Sequence, residues 1–322
     1  MGGLAAAAPC GSWGSPITAA LLVAGAASPS EVVVDGDRVW WSESRPDEGG
    51  RSVVVCGGVD AVPPEVNVRT LVHEYGGGAW WAFGGTLVYS DHTDQRLYRM
   101  GDGGQPTVLT PEPDSARALR YADGRPTPDG RWYVCVRENH GQGGEPANDL
   151  VAVALDGSLR VEVLVSGPDF VSSPRVSPDG DRLAWVQWDH PNLPWDDTQL
   201  WVADLGDGVV SGAVCVGGGG VAEAGSGESF FQPEWNADGT LHVVTDRDAW
   251  WHLYRLAVDG SWEQLTSGGF EIATPQWVFG LSRYAFVGDE VWFARRVDGV
   301  DRLSVLAADG VVRDVDVDVT SI

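Results

Sequence analysis

The sequence contains no lysine, so its 21 basic residues are all arginine and stand against 46 acidic residues. The formal net charge of −25 produces a field that repels nucleic acid and anionic membranes, so we expect neither as a partner. A solvated acidic surface is the simplest interpretation of this charge. An acidic cavity that prefers basic ligands is the alternative.

Residue sets that hold metals or cofactors are also missing. The four cysteines form no CxxC pair, the six histidines do not fall at metal-ligand spacing, and no HExxH motif occurs. The aspartates of the DVDVDV run lack the glycine and the final glutamate of a calcium loop. The sequence therefore predicts no metal and no cofactor. Cys135 and Cys215 lie in apolar, strand-like stretches, where we expect reduced and buried thiols.

The motifs of the common hydrolases are absent as well. No GxSxG nucleophile elbow occurs, and no alternation of parallel strands with helices is present to hold one. No phosphate-binding glycine loop follows a strand. We therefore expect no catalysis by this chain alone.

Long apolar runs are missing too. Residues 17–27 form an apolar stretch that is too short to span a bilayer. A secretory signal needs positive charge before such a stretch, whereas the first basic residue is Arg38. We interpret the stretch as a short surface helix capped by Ser15 and Pro16, within an N-terminal extension over residues 1–30. The protein is expected to be cytoplasmic.

What the sequence does contain is glycine and proline, 43 and 19 residues, placed at regular turns, while long amphipathic helical patterns are absent. The stretch 170–217 is representative. A short β-prone run ends at Pro178-Asp179-Gly180, where proline and glycine favour a hairpin turn. The next run, LAWVQW at 183–188, is apolar at both even and odd positions, which is typical of a strand covered on both faces. Two further strands follow, so the unit has four strands.

This unit recurs along the chain at a spacing of about 50 residues, which predicts a repeat architecture. The inner hairpin turns lie at Asp35-Gly36, Gly84-Gly85, Asp129-Gly130, Asp179-Gly180, Asp238-Gly239 and Gly288-Asp289. The outer turns lie near Gly57-Gly58, Asp102-Gly103, Asp156-Gly157, Asp207-Gly208, Asp259-Gly260 and Asp309-Gly310. Two interleaved series of turns give four strands in each of six repeats.

Antiparallel sheets that are buried on both faces are normal in a β-propeller, where each blade packs between two others. We therefore predict an all-β propeller over residues 31–322, with tryptophan and tyrosine side chains packed between the blades. The sixth outer strand is expected over 311–319, where apolar and acidic residues alternate. The predicted blades cover roughly 31–72, 78–112, 118–166, 170–217, 230–267 and 281–320.

Polar clusters at the ends of inner strands are the candidate functional residues. In a propeller these positions line one mouth of the central tunnel, where ligands or a partner domain bind. Hydrogen bonds that only fix local turns are the alternative for each cluster. The candidate substrate-binding residues are His73, Glu74, Glu138, His140, Asp189 and His190.

Several of these stretches resemble a known family. VHEYGGGAW, DQRLYR, the tetrapeptide RENH, SPDGDRLAWVQWDHPNLPWD, FQPEWNADG and PQWVFG are similar to the N-terminal propeller of serine peptidases of the prolyl oligopeptidase family. The branch that they resemble comprises acylaminoacyl-peptidases and dipeptidyl aminopeptidases. The resemblance covers roughly residues 11–322, and WDHPNLPWD is its most specific part.

The resemblance implies a seven-bladed propeller followed by an α/β-hydrolase domain that carries the catalytic serine, aspartate and histidine. In such proteins the propeller covers the active site, excludes folded proteins and helps to bind the peptide N-terminus. This chain shows six repeats and no hydrolase domain, so we interpret it as a fragment of such a peptidase. We expect the outer faces of its first and sixth repeats to be unpaired, and the fragment to self-associate through them.

The resemblance therefore implies a propeller that gates access and recognises short peptides for a serine peptidase, inactive by itself. Its partners would be short peptides and the hydrolase domain of the same polypeptide. The first alternative is a free-standing, non-catalytic propeller that binds a protein or peptide, since a fold alone does not define a function. The second is a propeller enzyme that acts on sugars, for which Glu74, Glu138 and Asp189 are the candidate carboxylates.

Overall fold

The computed structural model describes residues 9–12, 14–101, 103–141, 143–219 and 227–322. Within these ranges the strands form six sheets, each with four antiparallel strands in sequence order. This confirms the predicted all-β propeller with six four-stranded blades. Asp102, in one of the predicted outer turns, lies outside the described residues, as do residues 1–8 and Trp13 of the N-terminal extension.

The first three blades occupy the first half of the chain. Their strands are β1 (Ser28–Asp35), β2 (Arg38–Arg45), β3 (Arg51–Cys56) and β4 (Val59–Asp60); β5 (Trp80–Phe83), β6 (Thr86–Ser90), β7 (Leu97–Gly101) and β8 (Thr107–Val108); and β9 (Leu119–Pro126), β10 (Trp132–Asn139), β11 (Ala147–Ala154) and β12 (Val161–Val165). A short 3₁₀-helix, Pro46–Glu48, interrupts the first blade.

The last three blades follow the same plan. Their strands are β13 (Phe170–Val176), β14 (Arg182–Trp188), β15 (Gln199–Gly206) and β16 (Val209–Gly218); β17 (Phe230–Trp235), β18 (Leu241–Thr245), β19 (His252–Leu256) and β20 (Trp262–Gln264); and β21 (Tyr284–Val287), β22 (Glu290–Val297), β23 (Val300–Leu306) and β24 (Val312–Asp314).

The hydrophobic core consists of layers that lie between consecutive blades. Strand β10 shows why, because its alternating side chains serve two layers. Trp132 and Val134 pack against blade 4, whereas Tyr133 and Cys135 pack against blade 2. Trp185, in the middle of the fourth blade, is almost completely buried. Apolar residues at both parities of a strand thus reflect burial on both faces, as the sequence indicated.

The two ends of the ring differ from its middle. In blade 1, Val33 and Trp40 pack towards blade 2, while Val34 and Val39 on the opposite face are exposed. In blade 6, Val287 is also exposed. The outer faces of the first and last blades therefore both present valine side chains to solvent.

Three expectations need correction in detail. The α-helix α1 (Ala19–Val23) is capped by Thr18 and not by Ser15, because the Thr18 hydroxyl accepts the hydrogen bond from the amide of Leu21. Cys215 is exposed, since it lies on an outermost strand, whereas Cys135 is buried as expected. None of the described helices has the length and hydrophobicity needed to cross a bilayer.

The third correction concerns the end of the chain. Strand β24 spans only Val312–Asp314 and not the predicted 311–319. Beyond it the chain leaves the blade edge and returns towards β23. The amide of Asp301 donates to the carbonyl of Thr320, and the amide of Ile322 donates to the Asp301 carboxylate at 2.9 Å. The alternation of apolar and acidic residues there reflects exposure on both sides.

Four of the six innermost strands contain a β-bulge near which neighbouring blades are joined. Strands β1, β9, β13 and β17 each contain a β-bulge, at which one residue has a left-handed backbone. The four residues are Glu31, Asp123, Ser173 and Gln232, with φ values of 47°, 53°, 52° and 51°. Because the bulge turns the side chain out of the pleat, it can reach the backbone of the next blade.

The bulges form hydrogen bonds from blade to blade. The amide of Gly78 donates to Glu31 Oε1 at 2.7 Å, and the amide of Ser173 donates to Asp123 Oδ2 at 2.7 Å. The amide of Arg283 donates to Gln232 Oε1, also at 2.7 Å. These contacts link blades 1 and 2, 3 and 4, and 5 and 6.

A buried ion network joins the central blades. Arg175 on β13 donates to Asp123 Oδ1 at 3.1 Å and to Glu234 Oε1 at 3.1 Å. Arg125 on β9 donates to Glu234 Oε1 at 2.8 Å, and its guanidinium lies 3.8 Å from the ring centroid of Trp81. Burial raises the pKa of Glu234, but the charges of the two arginines outweigh burial and hold the pKa below its ordinary value.

Replacement of Arg175 by methionine is expected to lower the free energy of unfolding by about 3–5 kcal/mol, because it leaves the Asp123 carboxylate buried without its arginine and leaves Glu234 paired with Arg125 alone. Arg131→Met is the matched control, since Arg131 forms exposed ion pairs with Asp129 and Asp207. Exposed pairs of this kind contribute at most about 1 kcal/mol. Urea unfolding of both variants measures the difference, and equal losses would contradict the role of the network.

The stability of the protein should also depend on the protonation of Glu31. Burial raises the pKa of Glu31 to about 7, although the hydrogen bond from Gly78 opposes the shift. The folded protein therefore retains this proton at pH values where the unfolded chain, with a pKa of about 4.5, has lost it. The contribution of Glu31 to the free energy of unfolding falls as pH rises from about 4.5 to about 7, and it does not change above that range.

Glu31→Gln removes this titration while its amide oxygen can still accept from Gly78. Relative to the variant, the unchanged protein should lose about 3 kcal/mol of stability between pH 5 and pH 8. Urea unfolding at the two pH values, with the exposed Glu162→Gln as control, measures the effect. The prediction is refuted if the unchanged protein, Glu31→Gln and Glu162→Gln all lose the same free energy of unfolding between the two pH values.

Candidate tunnel-mouth site

Four of the six predicted residues meet around an arginine, where β9 begins and β10 ends. Arg120 on β9 and Glu138 on β10 are opposite each other in the strand register. Arg120 Nη1 donates to Glu138 Oε2 at 3.1 Å and to Glu74 Oε1 at 2.8 Å. His140, directly after β10, places Nε2 2.7 Å from Glu138 Oε2. The amide of His73 donates to Glu138 Oε1 at 2.9 Å. We call these five residues the acidic cluster.

The two glutamates of the acidic cluster differ in what they can do. Glu138 is buried, with 6% of its side chain exposed, and both of its oxygens already accept hydrogen bonds. Glu74 has 74% of its side chain exposed and, among the described residues, is hydrogen-bonded through one oxygen only, to Arg120. That hydrogen bond lowers the pKa of Glu74, so its carboxylate stays charged. Of the two carboxylates in the acidic cluster, Glu74 is therefore the one that is exposed and can accept a further hydrogen bond from a cationic group.

His73 is fixed in position by both its backbone and its ring. Its φ of 52° and that of Glu74, 64°, place two consecutive residues in the left-handed region, a strained arrangement that the Glu138 contact holds. His73 Nε2 lies 3.2 Å from Asn148 Oδ1, while Asn148 Nδ2 donates to the carbonyl of Asp169. The histidine must therefore donate through Nε2. Burial lowers its pKa, so the ring is neutral.

The glycines after this pair are required by a close backbone approach. Gly77 forms a parallel bridge with Phe279, and the amide of Phe279 donates to the carbonyl of Gly76 at 3.0 Å. A Cβ on Gly77 would lie 2.3 Å from the Phe279 carbonyl oxygen, and the φ of Gly77 is 85°. Only glycine fits there. The connection between blades 1 and 2 is thus joined to that between blades 5 and 6.

Beside the acidic cluster lies an apolar depression with a volume of ≈ 230 Å³, which we call the aromatic groove. Three segments that are distant in sequence form it: residues 73–76, the end of β14 with the loop 190–195, and residues 276–279. Phe170, at the start of β13, completes its floor. The rings that line it are His73, Tyr75, Phe170, Trp188, His190, Trp195, Trp277 and Phe279.

The fourth-blade residues have different positions. His190 lines the groove, and its ring is held by Asp169, whose Oδ2 lies 2.9 Å from His190 Nδ1. Asp189 instead accepts the amide of Asp169 at 2.8 Å, an exposed contact that fixes the local turn. The structure thus joins His73 and His190 in the groove and Glu74, Glu138 and His140 in the acidic cluster. Asp189 lies in neither.

Sequence reasoning missed Arg120 and the aromatic residues Tyr75, Trp195 and Trp277. Arg120 has no distinguishing motif, and only its register opposite Glu138 reveals its role. The tryptophans lie in PWD and PQWVFG, which were noted for their resemblance and not as site residues. Within the described residues, no group of three or more His, Cys, Asp or Glu side chains is arranged to hold a metal ion.

The fold corresponds to that of a known class of protein. The chain superposes on a prolyl endopeptidase with a TM-score of 0.63 over 91% of this chain and 43% of that one, at 15% identity, which shows a shared fold. The N-terminal domain of prolyl oligopeptidases and of puromycin hydrolase is a β-propeller. The resemblance to the propeller of the prolyl oligopeptidase family is confirmed.

Particular members of this class are closer in sequence. A puromycin-hydrolyzing peptidase from Mycobacterium tuberculosis is 36% identical, with a TM-score of 0.86 over 98% of this chain and 51% of that one. A puromycin hydrolase is 34% identical, with the same TM-score and the same coverage. The chain therefore spans about half the length of these relatives. No family model and no curated protein sequence matches it.

The buried position of Glu138 generates a prediction about the mouth. In Glu138→Gln, the side-chain NH₂ group replaces one of the two carboxylate oxygens. Either Arg120 or the backbone amide of His73 therefore loses its acceptor. Such a loss destabilises by about 1–3 kcal/mol. Amide hydrogen exchange should accelerate in the segment 72–76, as measured by mass spectrometry. The exposed Glu145→Gln is the control, and unchanged exchange in the Glu138 variant would contradict the positioning role.

Proposed function

We propose that this chain is the substrate-gating and peptide-recognition propeller of a serine peptidase that acts on short peptides. In the whole protein, the reaction is removal of N-terminal residues or of acylated amino acids, of the acylaminoacyl-peptidase or dipeptidyl aminopeptidase type. The serine, aspartate and histidine belong to an α/β-hydrolase domain of the same polypeptide. The chain alone is inactive, and the protein is cytoplasmic.

The observation that carries this proposal is the acidic cluster at the tunnel mouth. Glu74 is charged and exposed, and a free peptide N-terminus carries a positive charge that an exposed carboxylate can bind with a charge-assisted hydrogen bond. Glu138 and Arg120 hold Glu74 and the strained backbone of residue 73 in place. The identity to puromycin-hydrolyzing peptidases over nearly the whole chain supports the same assignment.

In this proposal, peptide binding and gating share one site. The residues that would bind a peptide end lie on connections between blades, which form the rim of the mouth. Strands of the blades are buried on both faces and are rigid by comparison. A peptide whose amine binds Glu74 is therefore held at this rim.

Glu74→Gln should weaken the binding of a short peptide with a free amine, such as alanyl-alanine amide, by about tenfold, which corresponds to about 1.4 kcal/mol. The variant removes the charge and keeps the shape. Isothermal titration calorimetry with the purified protein measures the affinity. N-acetyl-alanyl-alanine amide, which lacks the ammonium group, should bind equally to both proteins.

Glu65→Gln is the matched control, because Glu65 is exposed on the same connection and is outside the acidic cluster. It should bind the free-amine peptide like the unchanged protein. The proposal fails if the free and acetylated peptides bind with the same affinity, or if both glutamate variants lose affinity equally.

A further inference from the structure

The aromatic groove has features that recognition of a peptide amine does not require. Its upper rim is formed by side chains that protrude into solvent: Tyr75 is 65% exposed and Trp277 is 56% exposed. Isolated exposed apolar residues are ordinary on protein surfaces, but these two are in contact, with ring centroids 5.9 Å apart. Trp195 extends the rim, with its centroid 4.7 Å from that of Trp277.

The floor of the groove is buried at Trp188 and half-buried at Phe170 and His73, and its rings are in contact with one another. Phe170 and Trp188 are stacked, with centroids 5.4 Å apart and planes 14° from parallel. His73 meets Phe170 edge-on at 5.2 Å, and its own ring is held by Asn148. Because the floor is rigid and the rim is open, a flat group could enter between them without displacing the floor.

The charge distribution favours a neutral occupant. Of the described residues that line the groove, none is aspartate, glutamate or arginine. Two carboxylates close to the lining residues in sequence are already engaged, since Glu74 accepts from Arg120 and Asp169 is paired with the ring of His190. His73 is neutral. A cation in the groove would lose hydration without a counter-charge, whereas a neutral aromatic ring would gain edge and face contacts with the surrounding rings.

The size of the groove limits the occupant further. Sites for drug-sized ligands enclose about 300–1,000 Å³. At ≈ 230 Å³ the groove is smaller, which suits a single side chain and not a folded segment. Tyr75 on its rim follows Glu74 directly in the chain, so the groove and the free carboxylate are adjacent. A peptide whose amine contacts Glu74 can place one of its first two side chains in the groove.

We propose that the aromatic groove is a subsite for one planar aromatic side chain within the first two residues of the peptide. This inference rests on the proposed function for the direction of the peptide, and it adds the class of side chain that is preferred. It assigns Trp277, Tyr75 and Trp195 as the residues that determine this specificity.

Capped amino acids test the groove separately from the acidic cluster, because they carry no ammonium group. Calorimetric titration of the purified protein should show that N-acetyl-L-tryptophanamide binds at least tenfold more tightly than N-acetyl-L-leucinamide. Trp277→Ala should abolish this preference, and Trp277→Phe, which keeps a ring, should retain part of it. Near-ultraviolet circular dichroism and thermal unfolding establish that each variant is folded.

Trp250→Ala is the matched control, because Trp250 is 43% exposed and does not line the groove. Its affinity for the aromatic probe should be unchanged. The inference is overturned if the two capped probes bind equally, or if Trp277→Ala keeps the preference. It is also overturned if tetramethylammonium binds in a Trp277-dependent manner and displaces the aromatic probe, since the groove would then be a cation site.

The same experiment separates the two proposals. Glu74→Gln should leave the affinity for both capped probes unchanged, because neither probe has a charged amine. If the aromatic preference is present but free and acetylated peptides bind alike, the groove assignment stands and the amine-recognition role of the acidic cluster fails. If free-amine peptides bind more tightly than acetylated ones but the aromatic preference is absent, the amine-recognition role of the acidic cluster stands and the groove assignment fails.

Discussion

Each bulged innermost strand of this propeller interrupts its pleat at a residue with a left-handed backbone, and most of these residues bond the next blade directly. Glu31, Asp123 and Gln232 use side-chain oxygens to accept backbone amides of the following blade. Between blades 4 and 5, the contact between Arg175 and Glu234 has the same effect. The apolar layers between the blades supply most of the burial, but they are not directional. The polar contacts around the tunnel define how the blades are positioned, and the mouth depends on that positioning.

The candidate site combines connections between blades with the ends of a few strands. The acidic cluster combines the connection after blade 1 with one pair of strands in blade 3. The aromatic groove combines that same connection with a loop of blade 4 and the connection before blade 6. Sites formed in this way can change their side chains without disturbing the packed layers, which is why loops on a rigid scaffold often carry function. The scaffold here resembles that of prolyl oligopeptidase-family peptidases over almost the whole chain.

The repeat pattern made the architecture predictable, because turn residues and two-sided apolar strands are local signals. The strand predicted at 183–188 is β14, and the burial of Trp185 followed from the apolar residues on both faces of that strand. The outer edge was less predictable. The alternation of apolar and acidic residues at 311–319 predicted a strand, but exposed chain can show the same alternation, and β24 is shorter than expected. His73, Glu74, Glu138 and His140 were identified as a group at strand ends. Arg120 and Trp277 were not, because their roles depend on which connections meet in space.

The backbone bridge between Gly77 and Phe279 links binding in the groove to the contact between two connections. It joins the connection that follows blade 1 to the connection that precedes blade 6, the two blades with exposed outer faces. Phe279 and Gly76 also line the groove. A ligand that binds the groove only while this bridge is intact therefore stabilises the bridge by mass action, and the intact bridge raises the affinity for that ligand by the same factor.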